Sequence, residues 1–149
     1  MTADDNPRVL VPPPLIFAVL LGVGLFVDRN SIGRGVQLIA GVLAMAGLGL
    51  IGTALGMFGR SKTRPEPWQP ASALVTSGVY SFTRNPMYLG MAALSLAVAL
   101  FFGSLPAMLF AVLAAIIVDR TVITREEAYL VRRFGGDYLR YRNKVRRWL

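Results

Sequence analysis

The chain has 149 residues and contains no cysteine and no histidine. Without cysteine there is no disulfide framework, no thiolate nucleophile and no zinc–sulfur site. Without histidine the usual general base near neutral pH and the commonest metal ligand are both missing. Charge is also missing from long stretches: Val36 to Phe58 and Met87 to Val118 carry none. With 54% hydrophobic residues and a mean hydropathy of +0.53, the chain falls among integral membrane proteins, and its length allows one domain, residues 1–149.

The charge that remains is unevenly placed. The net charge is +8, and nine of the sixteen Lys and Arg residues lie at or after Arg120. A basic segment beside apolar helices meets anionic lipid headgroups more readily than nucleic acid, so membrane lipid is the expected partner and no nucleic acid is expected.

The apolar segments set the expected architecture. Pro14 to Val27 follows Asp4, Asp5 and Pro12-Pro13-Pro14 with no basic leader, which reads as a retained span rather than a signal peptide. Val36 to Phe58 is long enough to cross a bilayer. Its Gly47-Leu48-Gly49-Leu50-Ile51-Gly52 matches the dinucleotide-binding glycine pattern, but no strand precedes it, and a phosphate loop cannot lie inside an apolar helix. Gly41, Gly52 and Gly56, with Ala44 to Ala46, are expected instead to let helices approach closely. Met87 to Val118 is too long for one straight span of about 30 Å and is broken by Gly103-Ser104 and Pro106. It predicts a helical hairpin whose second helix continues past Val118 into water.

The expected fold is therefore an all-α integral membrane protein with about four transmembrane helices plus short C-terminal amphipathic cytoplasmic helices. Lys and Arg cluster in the loop from Gly59 to Arg84 and in the tail, which places both termini and both polar clusters at the cytoplasmic face of the inner or plasma membrane.

Two polar stretches carry the chemistry. Ser77 to Gly90, SGVYSFTRNPMYLG, ends a long loop with three prolines and an interfacial Trp68. Pro86 suits the first helical position and Asn85 the cap before it, a sufficient structural explanation for that pair. It leaves unexplained why Tyr80, Arg84 and Tyr88 gather there. The second stretch begins at Arg125-Glu126-Glu127. Adjacent carboxylates point about 100° apart on a helix, so at most one of Glu126 and Glu127 is expected to face the bundle. Asp119 and Arg120 adjoin the apolar run and suit anchoring, by pairing or by snorkelling. Tyr129, Leu130, Phe134, Tyr138 and Tyr141 follow at spacings of three and four, broken by Gly135-Gly136. They predict two short helices across the bundle mouth. Arginine, amide, phenols and carboxylates at a membrane mouth suit a polar cofactor with a carboxylate, vicinal hydroxyls and a cationic centre. S-adenosylmethionine has all three, although this chemistry alone does not single it out.

LVTSGVY (Leu74 to Tyr80) followed by RNPMYLG (Arg84 to Gly90) resembles the R-H-P-x-Y-x-G junction of the isoprenylcysteine carboxyl methyltransferase and phospholipid methyltransferase superfamily. REEAYLVRRFGGDYLRYRNKVRRWL (Arg125 to Leu149) resembles its second signature, a double glutamate, FG, two tyrosines and a terminal R-W. The resemblance covers the half of the chain from Leu74 onward. It implies S-adenosylmethionine bound at the cytosolic membrane face, with a lipophilic small-molecule or lipidated acceptor entering between helices. Carried over by position, it implies Arg84, Asn85, Tyr88 and Leu89 as cofactor ligands in the first stretch and Glu126 and Glu127 in the second. Asn85 stands where the family has histidine, and Arg146 where a proline is often found. An acceptor carboxylate would need a partner such as Arg120 or a tail arginine, and an acceptor amine a base such as Glu127 or Asp119, so Arg120 and Glu127 are the candidate catalytic residues. Two other classes stay open: a nicotinamide-dependent membrane reductase, and a non-enzymatic small membrane protein with a helix cap and a basic lipid anchor.

Overall fold

The computed structural model of the chain describes Pro7, Val9, residues 11–61, Thr63 and residues 70–149. The expectations for Asp4 and Asp5, and for Lys62, Arg64, Pro65, Pro67 and Trp68 in the long loop, lie outside the described residues. No strand occurs among those described. Helix α1 spans Pro13–Val27, α2 Arg34–Arg60, α3 Pro86–Phe101 and α4 Leu105–Val118. Proline occupies the first turn of α1, α3 and α4, where its missing N–H costs nothing and its fixed φ is already helical. The expected hairpin forms: α3 stops at Phe102, Gly103 takes φ +57°, and Ser104 caps α4 by accepting from the Ala107 N–H at 3.2 Å. Helix α4 then runs through a π-helical turn, Asp119–Ile123, into α5, Thr124–Phe134. Gly135, at φ +53° and ψ −123°, ends α5, and α6 follows over Gly136–Lys144.

Among the described residues two helices are long and apolar enough to cross a membrane: α2, and the continuous helix Leu105–Phe134, whose uncharged part ends at Val118. Helices α1 and α3 are apolar but shorter. Helix α3 packs against α2, α4 and α1, and α1 also lies along α4. One end of the bundle is tied where Asn30 donates its backbone N–H to Phe102 O at 3.0 Å, and Ser104 Oγ donates to Gly24 O at 3.1 Å.

Along the apolar helices many buried side chains are small and many large ones face out. Ala40, Ala54, Ala97, Ala99, Ala107, Ala111 and Ala114 are buried, whereas Phe26, Leu38, Val42 and Met45 are mostly exposed. A water-soluble core would reverse this, since burying large apolar side chains drives its folding. In lipid the apolar exterior costs nothing, and close backbone approach becomes the source of packing energy. The chain is a membrane protein by this arrangement and by its apolar helices.

The close approach uses other glycines than those expected. A Cβ on Gly41, Gly52 or Gly56 would meet nothing within 4 Å. A Cβ on Gly47 would lie 2.8 Å from Gly90 O, and one on Gly90 would lie 2.8 Å from Gly47 O. Periodicity marks glycine positions on α2 but not which side faces α3. Gly47→Val is therefore expected to lower unfolding stability in detergent by about 1–3 kcal/mol through overpacking. Gly52→Ala, in open space on the same helix, should be neutral or slightly stabilising. Equal losses in a thermal unfolding assay would refute the Gly47–Gly90 contact.

Candidate functional site

At the other end of the bundle the two polar stretches meet. A 3₁₀ turn, Gly78–Ser81, buries Tyr80, whose carbonyl accepts from the Tyr141 hydroxyl at 2.6 Å and whose ring packs edge-on to Phe58. Asn85 holds the cap position of α3, but its side chain makes no capping bond. Its Nδ2 donates instead to Arg147 O at 3.0 Å, and Thr83 Oγ1 donates to the same carbonyl at 3.1 Å. The Arg84 N–H donates to Arg146 O at 3.0 Å. The capping reading of Asn85 is thus corrected: its amide secures the C-terminal segment, which nothing in the local sequence near Asn85 signals.

One turn into α3, the buried Tyr88 hydroxyl donates to Glu126 Oε1 at 2.7 Å. Glu127 takes a different environment. Its Oε1 lies 3.0 Å from Arg84 Nη1 and accepts from Arg147 Nε at 3.0 Å, while its Oε2 accepts from Arg147 Nη2 at 2.7 Å. Arg147 Nη1 also reaches Asp119 at 3.2 Å, and Trp148 Nε1 donates to Asp119 Oδ1 at 2.9 Å. Arg84 Nη1 donates further to the Tyr138 hydroxyl at 3.2 Å. The Arg84 and Glu127 side chains are only 11% and 14% exposed, so this ion pair works in a low dielectric, where losing one partner strands the other.

Beside this network lies a cavity with Phe58, Leu74, Val75, Met87 and Leu130 as its apolar wall. Arg84, Asn85, Tyr88, Glu126 and Glu127 all face it, together with Tyr138 and Tyr141. Both carboxylates border the cavity because one meets Tyr88 and the other the arginines. Leu89 is partly buried and does not line it. Arg120 does not line it either: its side chain is 79% exposed and reaches Asp119 at 3.5 Å. Arg147 and Trp148 belong to the cluster, although sequence reasoning gave them no specific role, and Asp119, expected as an anchor by pairing, is their partner. The terminal R-W was the available signal.

The electrostatics separate the two glutamates. Burial pushes the Glu126 carboxyl up to about 7, and Glu127 adds repulsion, against the Tyr88 hydrogen bond that pulls it down. Helix α5 lies beyond the uncharged part of the long helix, so this group sits at the bundle mouth. Burial likewise raises the Tyr80, Tyr138 and Tyr141 phenols, which stay neutral donors. The hydrogen bonds that Arg147 donates to Glu127 raise its own pKa further and keep it cationic. Among the described residues, Arg84 Nε is a buried side-chain donor without a partner, and it belongs to a residue that lines the cavity.

A curated relative from Haemophilus influenzae, an uncharacterized protein, is 41% identical over 63 residues, 42% of this chain and the whole of that protein. The protein-S-isoprenylcysteine O-methyltransferase of Schizosaccharomyces pombe is 39% identical over 72 residues, 48% of this chain and 30% of that enzyme. The profile of the family described as phospholipid methyltransferase matches residues 17–137, which takes in α1 to α5 and most of the cavity wall. The chain belongs to the phospholipid methyltransferase family.

Proposed function

We propose that the chain is an integral membrane methyltransferase that uses S-adenosylmethionine and methylates a lipid-embedded acceptor. The observation that carries this reading is the buried, unpartnered Nε of Arg84, a residue that lines a cavity where two sequence-distant stretches converge. A buried donor without a partner costs about 1–3 kcal/mol, and a ligand carboxylate would recover it. The rest of the donor set fits the same cofactor. Glu126 as a carboxylate would accept the ribose hydroxyls, with the Tyr88 hydroxyl beside it. Phe58, Leu74 and Leu130 offer an apolar seat for an adenine ring, and Glu126 with the neutral phenols suits a cationic centre.

S-adenosylmethionine supplies an activated methyl group on a sulfonium, so the chain's own task is to align, orient and exclude water. Arg84 holds and orients, Glu127 fixes Arg84 as its counter-charge, and the apolar wall keeps water out. Both oxygens of Glu127 are already engaged by guanidiniums, so it is not free to take a proton. Arg120, exposed and away from the cavity, is not part of this reading. An acceptor that is already ionised, such as a carboxylate, therefore fits better than an amine that must first lose a proton.

In this reading four helices span the membrane, α1 and α3 with their ends in the interface, and both termini are cytoplasmic. Arg60, Arg84, Arg120 and the basic C-terminal segment share the cavity end, while Arg29 and Arg34 lie at the other. The exposed Arg132, Arg133, Arg142 and Lys144 would then meet anionic headgroups.

Calorimetry on the protein in nanodiscs should detect S-adenosylmethionine binding, weakened about tenfold or more by Arg84→Lys or Glu126→Gln and unchanged by Arg34→Ala at the far end. No binding by the folded parent, or binding of NADPH instead, would refute the methyltransferase reading. Affinity should also depend on pH. Glu126 titrates near 7 in the ligand-free protein, and only its carboxylate accepts two hydroxyls. Binding should strengthen from pH 6 to pH 8, by up to about tenfold per unit below the pKa, and flatten above it. Glu126→Gln should abolish the slope, and a slope that survives in that variant would exclude Glu126 as its source.

A further inference from the structure

Arg147 hydrogen-bonds to the start of α3, to α5 and to the head of the π turn between α4 and α5. Its carbonyl accepts from Thr83 and Asn85 at the start of α3, and its guanidinium forks Glu127 on α5 and reaches Asp119 at the head of the π turn. That reach depends on the helix defect. Asp119 and Glu127 are eight residues apart, so on a straight α-helix their side chains would point about 80° apart. A π turn absorbs one residue, which leaves about seven α-helical steps and an offset of about 20°. Thr121 and Thr124 hydroxyls donate to the Ile117 and Arg120 carbonyls at 2.7 Å, giving partners to backbone acceptors along the turn. The two carboxylates thus share a face, and one planar guanidinium spans them.

We propose that Arg147 is a positioning residue of the site: it clamps Glu127 in the orientation that holds Arg84 by Nη1 and leaves Arg84 Nε directed to the ligand. Glu127 Oε1 is shared between Arg84 and Arg147, each at 3.0 Å. Without the fork Glu127 can rotate toward Arg84 Nε and occupy the donor that the ligand would use. Lysine keeps the charge but, as a single ammonium, cannot make the planar two-point contact. Trp148 Nε1 also donates to Asp119, so the order of action is Asp119, Arg147, Glu127, Arg84. This inference rests on the methyltransferase reading for the identity of its ligand, though not for the geometry.

The test uses the full chain in nanodiscs as parent, Arg147→Lys, Asp119→Asn and the double variant, with folding checked by circular dichroism and thermal unfolding. The first readout needs no ligand: the Nε–H NMR resonance of Arg84, identified by its loss in Arg84→Lys. Arg147→Lys should shift this resonance while helicity stays parental. The second is the Kd for S-adenosylmethionine. It should weaken about ten- to a hundredfold in Arg147→Lys, the range for losing a hydrogen bond to a charged group. Asp119→Asn should weaken it less, and the double variant should be no worse than Arg147→Lys alone. An unmoved Arg84 resonance in folded Arg147→Lys, or losses that add in the double variant, would overturn the proposal. Asp119→Asn leaves the cavity residues in place and supplies the same NMR comparison if Arg147→Lys does not fold. A parent that fails to bind S-adenosylmethionine refutes the methyltransferase reading, and the Arg84 resonance then decides the positioning role by itself.

Discussion

The Glu127 carboxylate, held between Arg84 and Arg147, is the interaction on which the cavity end of the molecule depends. Three segments far apart in sequence converge there: the entry to α3, the first turn of α5 and the C-terminal segment. A carboxylate with two guanidiniums in a largely enclosed site is stable only as a complete set, because removing one partner leaves charge uncompensated. The surrounding geometry follows from that requirement. Asn85 and Thr83 fix the Arg147 backbone, Asp119 and Trp148 fix its surroundings, and Tyr138 gives Arg84 a further acceptor.

The bundle beneath supplies rigidity by different means. Helices α2 and α3 meet backbone to backbone at Gly47 and Gly90, and buried alanines line the other contacts. This packing suits a lipid surround, where dispersion and close approach replace the hydrophobic effect between helices. It also sets where α3 begins, and so where Arg84, Asn85 and Tyr88 stand relative to α5. The π turn completes the alignment by rotating α5 against α4. The polar site is thus positioned by one close helix contact and one local helix defect.

The family match and the cavity bear on function in different ways. The match, from residue 17 to residue 137, establishes kinship with methyltransferases. It ends before Arg146, Arg147 and Trp148, the segment that closes the ion network. The share of the S. pombe enzyme that aligns is less than a third of its length. The acceptor therefore has to be sought through the cavity of this chain.

Much was legible in the sequence because it follows from local chemistry. Uncharged runs fixed the apolar helices, and Gly103-Ser104 with Pro106 fixed the hairpin. The spacing of Tyr129, Phe134, Tyr138 and Tyr141 around Gly135 anticipated α5, the break and α6. The glycine pattern at Gly47 to Gly52 lies inside α2, as its apolar setting implied, yet the partner of Gly47 could not be read, since helical periodicity says nothing about which neighbour a face meets. Asn85 read as a cap because Asn-Pro is a cap signal, and the tail's carbonyl captured its amide instead. Glu126 and Glu127 were indistinguishable as neighbours in sequence. Tertiary structure separated them, giving one to Tyr88 and the other to Arg84 and Arg147, because partners 38 and 20 residues away in the chain decide where each carboxylate can be neutralised.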